Sequence, residues 1–432
     1  MKAAFKQLLG GGIRQFGMVI ALLALLGYFQ WSTGGKVLTP TNAQNIINGN
    51  SYILILAIGM VLVIIAGHID LSVGSVAAVV GISVALSIKD WGIPWWLGVL
   101  LGLGVGMAIG VWQGTWVAYV GIPGFIATLA GMLIFRGMNQ EIGNNLSVPV
   151  PKEIQKLGAG YLPEWGPTST NMNNSTLLLG ILAIVLVVWS AFRKVAKSRR
   201  LGLEDMLPAA VYMRAAVLSV VIAYLTWLFG SGKPGTSFPI SGCILLVLMI
   251  IYTFVANRTI IGRHVYAVGG NRSAAALSGV NIKHVNFLVM ANMSVLAAVA
   301  GIVFVGRSTS SGPGDGTGWE LDAIAAVFIG GAAVSGGVGT VVGSVIGGLV
   351  MAVLNNGLAL NGVGSGKTQM IKGLVLLLAV AFDVYNKVQG RPSIFGLLFK
   401  GKSRRAAELV SEAGQEEVAE VPVAAGETAG RG

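Results

Sequence analysis

Twelve apolar runs, separated by polar or charged clusters, dominate this sequence. A helix that crosses a lipid bilayer requires about 20 predominantly apolar residues. The runs lie at about 16–31, 51–67, 72–88, 94–117, 124–140, 176–192, 215–230, 241–256, 285–306, 321–335, 338–356 and 369–386. Only 11% of the 432 residues are charged, against about 25% in an average soluble domain. The sequence therefore predicts an all-α integral membrane protein with about 10–12 transmembrane helices.

The Lys and Arg residues indicate how these helices are oriented. Most of the 29 fall before residue 16, at 193–214, at 258–283 or after residue 386, and twelve alternating crossings place these four regions on one side. Basic residues accumulate on the cytoplasmic side of membrane proteins. We therefore expect a cytoplasmic N-terminal segment at 1–15, a membrane domain at 16–390 and a cytoplasmic tail at 391–432, with both termini inside.

Two regions are expected to lie largely outside the bilayer. Residues 141–175 are rich in Asn and Pro and fall on the external side, as either a solvated loop or a docking surface for an external partner. Residues 406–432 carry six glutamates, one arginine and no aromatic residue. Such a composition cannot bury enough apolar area to order the chain, so we predict disorder from about residue 406.

Two glycine-rich segments interrupt the apolar runs, at 66–75 and at 330–340. The sequence VGSV at 73–76 aligns with VGTV at 338–341. Paired interruptions in two halves of a chain are typical of transporters with inverted repeats and broken helices. Small residues also allow helices to pack closely. We expect an internal inverted pseudo-repeat with broken helices, and close packing is the alternative.

Asp70 and Ser72 lie in the first of these interruptions. A carboxylate at membrane depth is unfavourable unless it meets water or a partner. Asp70 could therefore cap the following helix or interact directly with a polar solute. With Ser72, it is a candidate for the translocation pathway.

Three further charged residues, Arg307, Glu320 and Asp322, flank an external loop at 308–319 that is rich in Ser, Thr and Gly. They could pair with one another, or they could line the mouth of a pathway for a polar solute. The positions of these three residues in the sequence are consistent with either interpretation.

The sequence predicts no catalytic site, metal site or bound cofactor. His68, His264 and His284 are scattered, and Cys243 is the only cysteine. The sequence GVGSGKT at 362–368 resembles a phosphate-binding loop, but Asn361 stands where the first glycine is required. The net charge of +12 follows membrane topology, so no nucleic-acid partner is expected.

Residues 257–284 predict a short helix on the cytoplasmic side. We expect it over residues 272–277, capped by Asn271 or Ser273 and ended by Gly279. The small side chains at 274–276 and 278 would let another protein approach the helix backbone closely.

Several motifs, in this order, resemble the permease subunits of bacterial ATP-binding-cassette importers of ribose, xylose and galactose. They are HIDLSVG at 68–74, TLAGM at 128–132 running into FRG at 135–137, the 262–279 segment, ELDAIAA at 320–326 and GGVG at 336–339. The resemblance covers residues 10–390. The first motif and the additional pair of apolar runs at 176–230 are most similar to the xylose and multiple-monosaccharide permeases.

The resemblance implies a permease that moves a monosaccharide, xylose or another pentose or hexose, across the bacterial inner membrane by alternating access. It implies a separate ATPase subunit, an external sugar-binding protein and a second copy of the permease as partners, and no enzymatic activity in this chain. The 262–279 segment would dock into the ATPase. Its expected coupling residues are Gly262, Arg263, Gly269, Gly270, Asn271, Ala274, Ala275, Leu277, Ser278 and Gly279.

Two other classes of protein remain as alternatives. An ion-coupled transporter would require ionisable groups within the membrane, for which Asp70 and His68 are the candidates. A membrane enzyme would require a catalytic cluster. Co-purification with a separate ATPase would distinguish the importer from both.

Overall fold

A computed structural model describes residues 13–388, except 168–169 and 202–207, and gives the side-chain environment from residue 17 to residue 381 within those ranges. Of the described residues, those up to Leu377 belong to one compact unit and those at 378–388 to a second. The predicted tail at 391–432 and most of the predicted segment at 1–15 lie outside the described residues.

The first half of the described chain contains eight helices and one short strand. They are α1 (Ile13–Ser32), α2 (Pro40–Ile65), α3 (Val73–Asp90), α4 (Trp95–Thr115) with a π-helical turn (Trp116–Val120), α5 (Gly124–Ile142), β1 (Val148–Pro149), α6 (Lys152–Ala159), α7 (Asn174–Arg200) and α8 (Pro208–Gly230). The glycine residue Gly121 ends the π-helical turn in a left-handed conformation.

The second half contains seven helices and a second strand. They are α9 (Ile240–Arg258), α10 (Ile260–Gly270), α11 (Arg272–Leu277), α12 (Ile282–Ser308), β2 (Ser310–Ser311), α13 (Trp319–Ile329), α14 (Val341–Leu360) and α15 (Ser365–Val388). The two strands form one antiparallel pair, in which Val148 lies opposite Ser311.

Among the described residues, eight helices are long and apolar enough to cross a membrane: α2, α3, α4 with its π-helical turn, α7, α8, α9, α12 and α14. Helices α1, α5 and α15 occupy three further predicted runs. The all-α membrane fold is confirmed. The inverted relationship between the two halves stays a prediction.

The predicted run at 321–335 differs from the structure. Helix α13 has only 11 residues, which at 1.5 Å per residue span about 16 Å, roughly half of a hydrocarbon core. It ends at Ile329, just before Gly330, and the chain continues without a long helix until Val341. This helix is therefore broken, as the glycines at 330–340 predict, and does not cross as one continuous span.

The core of the bundle is formed by α2, α3, α12 and α14, which are mostly buried. Glycines at every fourth position of α4 let its backbone approach α12. A Cβ at Gly106 would lie 3.0 Å from the carbonyl oxygen of Ser294, and one at Gly110 would lie 2.7 Å from that of Ala291. Small residues at this spacing support close helix packing in membranes. Helices α7 and α8 instead pack on each other and are mostly exposed.

One end of the bundle gathers the loops that the sequence places outside. Asn42 and Asn356 exchange side-chain hydrogen bonds of 2.9 Å between α2 and α14. The 141–175 segment lies at the same end, because β1 pairs with β2 and the fully buried Ile154 anchors α6 against α12. The 141–175 segment is therefore not only a solvated loop, because its strand and its short helix pack against this end of the helix bundle.

Candidate coupling segment and buried polar cluster

Helices α10 and α11 form the candidate coupling segment at the other end of the bundle. Thr259 caps α10, since its hydroxyl oxygen accepts a hydrogen bond of 3.2 Å from the Gly262 amide. Asn271 caps α11 by accepting a 2.9 Å hydrogen bond from the Ala274 amide. Gly279 follows with a φ of +83°. The predicted helix over 272–277, its Asn271 cap and its Gly279 stop are confirmed, and Ser273 is not the cap.

The side chains of α11 and of the residue that follows it differ in their exposure to solvent. Leu277 is 91% exposed, and Ala274, Ala276 and Ser278 are also exposed. Ala275 is only 4% exposed and belongs to the hydrophobic core of the chain. The expectation that Ala275 contacts a partner protein is therefore wrong in this structure, because its methyl group is already packed against the permease body.

Helix α10 lies directly against both glycine-rich interruptions. The Gly337 amide donates a 2.9 Å hydrogen bond to the carbonyl oxygen of Ile65, at the end of α2. Gly269 faces this junction so closely that an added Cβ would overlap the Ile65 carbonyl oxygen. The Tyr266 hydroxyl donates a 2.8 Å hydrogen bond to the Gly339 carbonyl oxygen. Burial raises the pKa of the Tyr266 phenol, so the group remains a hydrogen-bond donor at neutral pH.

Asp70 and Ser72 occupy the turn between α2 and α3. One carboxylate oxygen of Asp70 accepts hydrogen bonds from the Ser72 amide at 2.8 Å and from its hydroxyl at 2.6 Å. Asp70 is only 1% exposed. The carboxylate therefore satisfies the backbone amide of Ser72, the residue that precedes α3, and makes no side-chain cap to the amides of α3 itself.

Gln113, in the apolar helix α4, completes a buried polar cluster that we define as Asp70, Ser72, Gln113 and Ser294. Its Nε2 donates a 2.7 Å hydrogen bond to the Ser72 hydroxyl. The Ser294 hydroxyl, near the middle of α12, lies 3.5 Å from the Gln113 Oε1. Sequence reasoning missed Gln113, although an amide within a long apolar run was a usable signal, because a buried amide requires partners.

The charged residues beside the 308–319 loop pair with other helices. Glu320 lies 3.8 Å from the Arg136 guanidinium of α5. Asp322 lies 2.6 Å from the Lys372 amine of α15. Arg307 is exposed. The expectation that Arg307, Glu320 and Asp322 pair among themselves is therefore wrong for both carboxylates, which instead tie the short helix α13 to its neighbours.

The loop itself packs deeply against α3. An added Cβ at Gly316 would overlap the Gly74 carbonyl oxygen, and one at Gly74 would lie 2.8 Å from a Glu320 carboxylate oxygen. This contact lies two residues from Ser72. The external loop and the buried polar cluster therefore adjoin the same first turn of α3.

A family of permease components of branched-chain amino acid transport systems matches residues 42–380 of this chain. The chain belongs to this permease family. The matched region contains α2 to α14, including both helix breaks, the buried polar cluster and the coupling segment. The permease is accordingly a multi-pass integral membrane protein.

Individual relatives of the permease are named as sugar permeases. The present chain is 36% identical over 313 residues to the xylose transport system permease of Escherichia coli strain K12, and the alignment covers 72% of this chain and 76% of the relative. The corresponding Haemophilus influenzae xylose permease is 37% identical over 307 residues, covering 71% and 79%. The ribose import permease of Escherichia coli strain K12 is 33% identical over 306 residues, covering 71% and 73%. No solved structure matches the permease.

Proposed function

We propose that this chain is the transmembrane permease of an ATP-binding-cassette importer for a monosaccharide, with xylose or another pentose or hexose as substrate. The observation that carries the proposal is the short helix α11, which projects an exposed Leu277 while its preceding helix contacts both helix breaks. A separate ATPase that binds α11 would act, through α10, on the two helix breaks of the bundle. ATP hydrolysis would take place in that subunit and not in this chain.

The docking surface comprises the exposed residues of the coupling segment. Leu277 protrudes between the small side chains of Ala274, Ala276 and Ser278, so a partner cleft can enclose it without steric conflict. Arg263 adds an exposed positive charge on α10. Gly262, Gly269, Gly270, Asn271 and Gly279 shape the segment, and Ala275 anchors α11 to the body.

The buried polar cluster is our candidate for the translocation pathway. Asp70, Ser72 and Gln113 offer hydrogen-bonding atoms near the middle of the bundle, where a neutral sugar must exchange hydrogen bonds with water for hydrogen bonds with protein. We assign Glu320 and Asp322, which pair with Arg136 and Lys372, to the outer side of this pathway and the exposed Arg307 to its mouth. The pathway opens when the helices that now enclose the cluster move apart.

The positive-inside pattern supports an orientation in the bacterial inner membrane with α10, α11 and both termini on the cytoplasmic side. The covered end with β1 and α6 then faces outward and receives the sugar-binding protein. A second copy of the chain completes the permease. A cysteine scan in a Cys243→Ser background tests the orientation: an impermeant reagent should label Trp165→Cys, which is 74% exposed at the outer end, and spare Leu277→Cys. The reverse labelling would overturn the orientation.

Reconstitution tests the function itself. Proteoliposomes that contain the permease, the ATPase that co-purifies with it and the sugar-binding protein should accumulate radiolabelled xylose, ribose or galactose only when ATP is supplied. Sugar uptake that a proton or sodium gradient drives without any ATPase would instead support the ion-coupled alternative and overturn the proposal.

A further inference from the structure

The two helix breaks converge on a single face of α10. The carbonyl oxygen of Ile65, the last residue of α2 before the first break, accepts a 2.9 Å hydrogen bond from the Gly337 amide in the second break. Gly269 lies against both groups, since an added Cβ would overlap the Ile65 oxygen and lie 2.7 Å from the Gly337 nitrogen. Three backbone segments that are distant in sequence therefore meet at one point.

Tyr266 adds a directional link to this junction. Tyr266 lies one helical turn before Gly270 on α10. Its hydroxyl donates a hydrogen bond of 2.8 Å to the carbonyl oxygen of Gly339, just before α14. Gly336 and Gly337 have φ values of +78° and +73°. The second break therefore contains two residues in the left-handed conformation that favours glycine, and Tyr266 bonds to Gly339 within the same break.

Helix α10 is itself anchored firmly. Val265 and Val268 on its inner face are 1% and 4% exposed. It leads through Asn271 directly into α11, whose Leu277 is almost fully exposed. Only Asn271 separates α10 from α11, and α10 meets the two breaks through the Tyr266 hydrogen bond and the backbone of Gly269.

The first break connects this junction to the buried polar cluster. Four residues separate Ile65 from Asp70, and the turn between them includes Gly67 with a φ of +86°. Ile65 and Asp70 are therefore joined by a short stretch of backbone, and Asp70 bonds directly to Ser72. The coupling end and the centre of the bundle are joined by a short path.

We propose that Tyr266 and Gly269 are positioning residues that transmit movement of α11 to both helix breaks at once. Tyr266 acts through the Gly339 carbonyl, and Gly269 acts through the Ile65 carbonyl and the Gly337 amide. This inference rests on the proposed function, in which α11 docks into an ATPase. It predicts that loss of either contact separates ATP hydrolysis from sugar movement.

The first test is Tyr266→Phe in the complete reconstituted importer. Phe keeps the ring and removes only the hydroxyl, so assembly with the ATPase and ATP hydrolysis should stay at wild-type levels. The number of sugar molecules transported per ATP hydrolysed should fall about fivefold, the usual effect of one lost hydrogen bond on an equilibrium. Tyr252→Phe is the matched control, because it removes a hydroxyl that bonds Asn292 between α9 and α12, away from the junction.

The second test compares two helical glycines. Gly269→Ala introduces a methyl group where the Ile65 carbonyl already lies, whereas Gly104→Ala, on α4, points a methyl group into open space. Only the first should lower the sugar-to-ATP ratio. Both substitutions add one methyl group to a helix, so a difference between them reports the contact at Gly269.

Each outcome separates the inference from the proposed function. A wild-type permease that binds no ATPase would refute the proposed function. If assembly is normal but Tyr266→Phe leaves the sugar-to-ATP ratio unchanged, or lowers uptake and hydrolysis in parallel, the transmission role is refuted. If Tyr252→Phe lowers the ratio as much as Tyr266→Phe does, the effect is general weakening and the role is likewise refuted.

Discussion

The side-chain amide of Gln113 donates a hydrogen bond of 2.7 Å to the hydroxyl of Ser72, across the interface between α4 and the turn that precedes α3. Ser72 in turn donates to the Asp70 carboxylate at 2.6 Å. A series of hydrogen-bonded polar groups therefore runs through a part of the bundle that is otherwise filled by apolar side chains. The first predictions concern these polar groups.

Replacement of Gln113 by Leu should reduce both stability and transport. The side chain is fully buried, so its loss leaves the Ser72 and Ser294 hydroxyls without this partner, which costs about 1–3 kcal/mol. We expect a lower midpoint temperature of unfolding in detergent and a reduced rate of sugar uptake. Thr115→Val is the control, because the Thr115 hydroxyl lies on the exposed side of α4 and bonds only to its own helix. Equal stability of the two variants would contradict the prediction.

Substitutions of Asp70 should distinguish a structural role, through its hydrogen bonds to Ser72, from a role in ion coupling. Asp70→Asn retains an oxygen that can accept from the Ser72 amide, so the protein should fold and transport at a substantial fraction of the wild-type rate. Asp70→Leu leaves that amide unsatisfied and should reduce folded yield in the membrane. Yield is measured by size-exclusion chromatography. Loss of a proton- or sodium-dependent uptake in the Asn variant would support the ion-coupled alternative.

The ion pair between Asp322 and Lys372 should stabilise the attachment of α15 to α13. Their side chains are 17% and 21% exposed. Lys372→Met should therefore destabilise the protein by about 1–3 kcal/mol, less than the roughly 3–5 kcal/mol of a fully buried pair. The double variant with Asp322→Asn should recover part of the loss in thermal unfolding. Lys367→Met, at an exposed position of the same helix, should change little.

Tryptophan substitutions at adjacent positions of α11 should give different defects. Ala275→Trp forces a large ring into the core and should lower the amount of folded permease in the membrane, because Ala275 is 4% exposed. Ala276→Trp places the ring on the exposed face, so membrane abundance should be normal while co-purification of the ATPase is lost. If Ala276→Trp retains the ATPase, α11 is not the docking surface.

Valine substitutions at two glycines of α4 should differ in their effect on stability. Both change the intrinsic helix preference equally, but only one of them disturbs packing against α12. A Cβ at Gly110 would lie 2.7 Å from the Ala291 carbonyl oxygen of α12, whereas a Cβ at Gly104 would meet no atom within 4 Å. Gly110→Val should be less stable than Gly104→Val by at least about 1–3 kcal/mol. Thermal unfolding of the two purified variants measures this difference, and similar midpoints would contradict the packing model.

Local chemistry made much of the fold predictable. A segment within lipid must satisfy its own backbone hydrogen bonds, so long apolar runs specify helices without reference to any neighbour. The short helix over 272–277 followed from equally local signals, the Asn271 cap and the Gly279 stop. The breaks at 66–75 and 330–340 were visible because glycine and small polar residues interrupt otherwise continuous apolar sequence.

Only the tertiary structure decided which residues meet. The partners of Glu320 and Asp322 are Arg136 and Lys372, and neither could be selected from sequence, because each pair joins helices far apart in the chain. Ala274, Ala275 and Ala276 are identical in local chemistry, yet only Ala275 is buried, since the packing of α11 on the body sets its rotation. The sequence by itself determined the membrane helices and where they break. The side-chain partners and the junction of α10 with both breaks depend on how distant segments pack, which local hydrogen bonding and apolarity do not specify.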